Sequence, residues 1–243
     1  MKLQLLRNAT QILHINNKRI LIDPMLAPKN TYDPFPFTGN DLRNPLVDLP
    51  IDKEEVIAQT DAVLLTHVHL DHWDITAQEL LPKHIPLFCQ PGNVDIIRKQ
   101  GFVNVQEITD EIIWNGVKIN RTGGRHGTGE IGERMGIVSG YVISDEQESL
   151  YIAGDTIWCD EVKDALDRYK PNHIVLNGGA ARFITGDSIV MDIKDIITVC
   201  EYAPAANVYI VHLEAVNHGK ESREDIRKAI KRCIVPDDGT FFI

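Results

Sequence analysis

Thr66-His67-Val68-His69-Leu70-Asp71-His72 is the stretch on which the fold and the chemistry turn. Three of the nine histidines fall between positions 67 and 72, with a carboxylate among them. A strand sends alternate side chains to one face, so an extended run carries His67 and His69 to the same side. Asp71 and His72 are adjacent and cannot both follow in a strand. The chain is therefore expected to turn there, and a helix starting near Asp71 would bring both side chains to the same place. Imidazole nitrogens and a carboxylate oxygen at this density suit Zn²⁺, Fe or Mn²⁺ better than Ca²⁺. A polar surface loop gives no reason for histidine to recur at this spacing.

Working outward, Ala62–Thr66 reads as a short buried strand leading into the motif, and Asp74–Leu81 as a helix closed by Pro82. Further ligand-type side chains end other apolar strands. Leu150–Ala153 runs into Gly154-Asp155-Thr156, Val208–Val211 into His212, and Val117–Arg125, less cleanly, into His126. Side chains at several strand ends converge if those ends share one edge of the sheets, a usual place for sites on mixed frameworks.

The rest of the chain alternates strands and helices. Leu3–Leu6, Gln11–Ile15 and Arg19–Asp23 form an expected meander with a turn at Asn16-Asn17. Ile112–Asn120 reads as a hairpin turning at Asn115-Gly116. Ile137–Ile143, Ser149–Ala153, His173–Leu176 and Val208–Val211 read as strands. Asp160–Tyr169, Ile193–Tyr202 and Arg223–Cys233 read as helices. Residues 27–50 carry five prolines and little periodicity, which suggests a binding loop or lid. No linker divides residues 1–243, so a single domain of α/β (α+β) class is expected.

An HxHxDH run, a later histidine, a Gly-Asp-Thr and a final histidine at a strand end, in this order, resemble the metallo-β-lactamase superfamily over nearly the whole chain. Arg7-Asn-Ala-Thr10, Ile22-Asp23-Pro24, Asn177-Gly-Gly179 and Met191–Asp195 are similar to its L-ascorbate-6-phosphate lactonase branch. The resemblance implies a four-layer αββα sandwich with a mono- or dinuclear metal site at one edge. It implies that His67, His69 and His126 hold a first divalent ion, Asp71, His72 and His212 a second, and that Asp155 bridges them. Zinc or manganese fits such donors. Asp71 and Asp155 are then the catalytic carboxylates. Two such ions share and acidify a hydroxide and polarise a carbonyl or phosphoryl oxygen. Three negative charges against four positive ones would favour an anionic substrate. His212 directly ends a strand, whereas His218 follows Glu214-Ala-Val-Asn217; His212 is therefore taken as the ligand, and His218 as a group that either faces substrate or caps the turn before Gly219.

Weaker signals fill in the substrate side. Asn177, Gly178 and Gly179 could turn backbone N–H groups toward an oxyanion or phosphate. Arg182 is the nearest cation. Phe35, Phe37 and Trp158 could wall the cleft. Gly127-Thr-Gly129-Glu-Ile-Gly132 fits a dinucleotide fingerprint but lacks its strand–helix context, so residues 123–136 read as a flexible turn. No GxSxG run supports a serine hydrolase.

The chain has 243 residues and a formal charge of −10. An acidic surface disfavours nucleic acid. No stretch suits a membrane span, and the N-terminal segment does not resemble an export signal. Four cysteines without CxxC spacing read as reduced thiols in the cytoplasm. The expected activity is hydrolysis of a small lactone, ester or phosphorylated substrate by a metal-bound hydroxide. The alternative is a phosphodiesterase cleaving a P–O bond.

Overall fold

A computed structural model describes residues 1–243. The first hairpins set its frame. Strands β1 (Lys2–Arg7), β2 (Thr10–Ile15) and β3 (Lys18–Ile22) form an antiparallel meander. Its β2–β3 turn has Asn16 and Asn17 both at positive φ, which matches the twist of the flanking strands. The chain then alternates α1 (Lys53–Ala58), β4 (Ala62–Leu64), α2 (Ile75–Leu80), β5 (Leu87–Cys89), α3 (Val94–Lys99) and β6 (Val105–Glu107). Strands β4, β5 and β6 add to β3 in parallel, giving a six-stranded sheet in chain order.

The second half builds the other sheet. It comprises β7 (Glu111–Trp114), β8 (Val117–Thr122), α4 (Gly129–Met135), β9 (Gly140–Ser144), β10 (Ser149–Ile152), α5 (Asp160–Tyr169), β11 (His173–Asn177), α6 (Ile193–Tyr202), β12 (Asn207–Val211) and α7 (Arg223–Ala229). Its strand order is β12-β11-β10-β9-β8-β7, antiparallel from β7 to β10 and parallel from β10 to β12.

Period-two patterning stacks the layers. In the first sheet Leu13, Ile15, Ile20, Ile22, Ala62 and Leu64 face inward. They meet Ile119, Tyr141, Ile143, Leu150, Ile152 and Val211 of the second sheet in one core. The intervening residues Ile12, Leu21 and Val63 face outward onto Val56, Ala77 and Ile97 of α1, α2 and α3. On the other side Tyr151, Ile174 and Ile210 meet Val162, Ile196 and Ile226 of α5, α6 and α7. This is the expected αββα sandwich. Residues 239–243 run beside the outer edge of β1: Leu3 and Leu5 N–H groups donate to Ile243 and Thr240 carbonyls, and Gly239 and Phe242 donate back.

Several sequence expectations shift. β4 ends at Leu64, because Thr66 leaves the ladder to bond Asp23 and to accept from Ser139; the histidine motif is therefore a loop, not a strand. No helix begins at Asp71. Asp74 is the cap of α2, its carboxylate accepting from Ala77 N–H and also from Ala27 N–H. The glycine-rich 123–136 segment contains α4, a short helix without buried residues. The β9 strand starts at Gly140 rather than Ile137, and α7 stops at Ala229, where Ile230 turns extended. Residues 27–50 hold no regular element. Buried Arg7 pins them from β1, donating to the carbonyls of Met25, Ala27 and Val47.

Candidate metal centre

The loops following β4, β8, β10 and β12 meet at one edge of the sandwich. His67, His69, Asp71 and His72 come from the loop after β4; His126, Asp155 and His212 come from the second sheet. Gly154 lets the chain make the turn into Asp155. It stands at φ 70°, and a Cβ there would lie 2.7 Å from the Ser139 carbonyl oxygen. His212 carries a φ of 65°, a strained value for a residue with a side chain, and is held by its N–H bond to Asn8 O at 2.9 Å.

The side chains form two groups. His67, His69 and His126 bring ligand atoms within 4.8 Å of one another, and so do Asp71, His72, Asp155 and His212. His67 Nε2 lies 3.0 Å from His69 Nδ1. Asp155 stands between the groups. Its Oδ2 is 3.5 Å from His126 Nε2 and 4.0 Å from His67 Nε2. Its Oδ1 is 3.2 Å from His72 Nε2 and 3.8 Å from His212 Nε2. Asp71 Oδ2 is 3.2 Å from His212 Nε2.

Outer hydrogen bonds fix which nitrogen of each ring faces inward. Thr66 O–H donates to Asp23 Oδ2, so Thr66 Oγ1 accepts from His67 Nδ1 at 3.0 Å and leaves His67 Nε2 bare. His72 Nδ1 lies 2.8 Å from Asp23 Oδ2, and His126 Nδ1 donates to the Ile189 carbonyl at 2.7 Å. His72 Nε2 is buried without a hydrogen-bond partner. Bare imidazole nitrogens facing carboxylate oxygens in a buried space fit divalent cations, and such outer partners are what orient metal-binding histidines. Asn177 Nδ2 donates to Asp155 Oδ1 at 2.7 Å and Asn8 Nδ2 to the Asp71 carbonyl.

Charge agrees with this fit. Burial alone would raise the Asp71 and Asp155 carboxyls, but neighbouring His72 and His212 outweigh it and hold both well below the usual range. Burial would lower His72, yet Asp155, Asp23 and Asp71 together raise it well above an ordinary histidine. The site thus calls for positive charge, which a bound metal ion would supply in place of protons.

A cleft of about 280 Å³ opens over these groups. Phe35, Pro36 and Phe37 line one part of its wall, Met135, Phe183 and Ile189 another, and His218 the floor beside Asp71. Arg134, exposed, is its one lining cation.

Most of the expected substrate contacts lie elsewhere. Asn177 is buried behind Asp155 rather than open to a ligand. Gly178 N–H is already used by Val211 O, and the Gly179 carbonyl takes the N–H groups of Lys220 and Glu221. Neither glycine lines the cleft. Arg182 is exposed outside it, and Trp158 packs on Tyr202. Of that set His218, Phe35 and Phe37 face the cleft, while His212 stands in the second group. Arg134, Phe183 and Asn217 were not singled out from sequence. Asp23 was, but only as a mark of resemblance; as a carboxylate ending a strand it carried the same signal as Asp155.

A three-histidine group beside a group of two histidines and two carboxylates, at the strand-end edge of an αββα sandwich, marks a metallohydrolase. The chain belongs to the beta-lactamase superfamily, whose domain model matches residues 18–213, and it is a metal-dependent hydrolase. It is 40% identical to the UPF0173 protein YddR of Bacillus subtilis (strain 168), over 98% of each chain. It resembles the crystal structure of a possible metal-dependent hydrolase from Veillonella parvula DSM 2008, with a TM-score of 0.96, 38% identity and coverage of 100% of this chain and 98% of that one. It also resembles an isothiocyanate hydrolase from Delia radicum gut bacteria, with a TM-score of 0.95, 36% identity and coverage of 100% and 99%.

Proposed function

We propose that the chain hydrolyses a small, largely apolar substrate at an electrophilic carbon, of the isothiocyanate class, with two divalent ions, zinc or manganese. His67, His69 and His126 would hold one ion; Asp71, His72 and His212 would hold the other, with Asp155 giving an oxygen to each. Ions held there would supply Lewis acidity toward a water and the substrate heteroatom. The observation that carries the reading is the cleft wall: Phe35, Phe37, Met135, Phe183 and Ile189 surround the ligand groups, against one exposed arginine. Likeness to an isothiocyanate hydrolase supports it. For R–N=C=S, a C–O bond forms at the central carbon and the C–N bond breaks. The two hydrogens of water end on nitrogen, giving R–NH₂ and carbonyl sulfide.

The chain's own groups divide the remaining work. Phe35, Met135 and Phe183 take the R group out of water. Asp71 and Asp155 stay ionised, and Asn177 fixes Asp155 Oδ1 through its amide. His218 sets an imidazole edge on the cleft floor, where it hydrogen-bonds the leaving nitrogen. Residues 1–243 act as one such unit, and four free thiols support a cytoplasmic setting. No helix is long and apolar enough to cross a membrane.

Arg134 favours a second reading, an anionic lactone, ester or phosphorylated substrate, with phosphodiester cleavage as its variant. A lone exposed cation is a weak phosphate clamp beside five apolar side chains, so the first reading is preferred. The test is metal analysis of the purified protein with a panel of alkyl and arylalkyl isothiocyanates, lactones, phosphorylated lactones and phosphodiesters. Fastest turnover of isothiocyanates, with amine and carbonyl sulfide released in equal amounts, is expected. Faster turnover of a phosphorylated lactone or phosphodiester overturns the reading.

A further inference from the structure

We propose that Asn217 is a positioning residue that sets the size selectivity of the cleft by fixing Phe35. The inference rests on the reading that an apolar group of the substrate lies against the Phe35 wall.

The 33–44 loop has no ladder of its own beyond one bridge, Tyr32 to Asn44. Buried Asn217 holds its Phe35 end, and Lys220 Nζ donates to the Thr38 carbonyl. Phe35 N–H donates to Asn217 Oδ1 at 3.0 Å, and Asn217 Nδ2 donates back to the Phe35 carbonyl at 3.2 Å. The side-chain amide thus grips both backbone groups of Phe35, as a neighbouring strand would. The same Nδ2 donates to Thr38 Oγ1 at 2.7 Å, and Oδ1 also accepts from Asn44 Nδ2. Asn217 N–H donates to Asn44 Oδ1, and its carbonyl accepts from Asn40 Nδ2. Asparagine supplies one acceptor and two donors in a single plane, and this loop uses both kinds.

The next residue is His218. The Phe35 and His218 rings meet edge to face, with centroids 4.8 Å apart. On the far side the Phe37 carbonyl accepts from Ile184 N–H at 2.7 Å, beside Phe183. The loop is therefore held to both sides of the cleft mouth, and Asn217 decides where the Phe35 ring stands. Without the amide, water can satisfy the Phe35 backbone and the ring loses its fixed place.

The test uses the metal-loaded protein and its Asn217→Ala, Thr38→Val and Phe35→Ala variants. Thr38→Val keeps the shape but removes the hydroxyl, which accepts from Asn217 and donates to the Phe35 and Asn40 carbonyls, should Asn217→Ala fail to fold. Two readouts are taken: kcat/KM for phenethyl over methyl isothiocyanate, and calorimetric binding of 2-phenylethanethiol over ethanethiol, whose sulfur binds the metals whatever the substrate. Both ratios are expected to fall about tenfold in Asn217→Ala, with the loss in KM, and less in Thr38→Val. Metal content should stay at the parent's value. Because Asn217 acts through Phe35, adding Asn217→Ala to Phe35→Ala should change neither ratio further. Unchanged ratios in the variants, or additive losses in the double variant, overturn the inference. Absence of isothiocyanate turnover in the parent, with thiol ratios still falling, overturns the proposed substrate and leaves the role of Asn217 standing.

Discussion

Asp155 turns one oxygen toward His67 and His126 and the other toward His72 and His212, a division no imidazole can make. Asp155→Asn keeps the shape, since an asparagine can still accept from Asn177. It removes the charge that would screen two cations from each other. The expected protein folds, keeps at most one ion tightly and loses activity at least about a hundredfold; metal stoichiometry and steady-state rates check this. His212→Ala should empty the second group and abolish most turnover, whereas His218→Ala should keep both ions and raise KM, and the reverse pattern would exchange their roles. The candidate ligands could be read from sequence because histidines at alternate positions have few other uses. Asn217 and Arg134 could not. An asparagine or arginine gains its role only from what the fold sets beside it, and Asn217 works on Phe35, 182 residues away in the chain.

The candidate ligands stand at strand ends, and strands are the most readable elements. The hairpins at Asn16-Asn17 and Asn115-Gly116 turn where their positive-φ residues predict. The three-residue β6 and six-residue α1 leave no mark in the sequence, because such short pieces are held by sheet neighbours and by one buried side chain, Val56, rather than by local pattern. The histidine motif reads as strand because alternation is all a sequence shows; the side-chain bonds of Asp23 that draw Thr66 out of the ladder join distant segments. The tight turn between β10 and Asp155 makes a further point at this scale. Gly154→Ala places a Cβ against the Ser139 carbonyl at positive φ, and should cost about 1–3 kcal/mol. Calorimetry should then show a Tm lower by roughly 2–12 °C, at about 2–4 °C per kcal/mol for a chain of this size. An unchanged Tm would mean that the turn relaxes at no cost.

Across the whole molecule, the ligand groups draw on both sheets, so ions held there would tie the two halves of the sandwich together. A ligand at a hundredfold excess over its Kd stabilises the folded form by about 2.7 kcal/mol. Chelator-treated protein should therefore melt roughly 5–10 °C below metal-loaded protein, and Zn²⁺ or Mn²⁺ should restore the difference. Equal melting temperatures would show that metal and fold are uncoupled. The segment 239–243 matters in another way. It covers the N–H and C=O groups of Leu3 and Leu5 that β1 does not share with β2. A chain ending at Asp238 would leave that row open as a template for any other extended chain, including its own copies. Such a truncated protein should keep its metal ligands and yet associate edge to edge, with light scattering that grows with concentration. The last five residues, remote from every catalytic candidate, would then be what keeps the enzyme from polymerising.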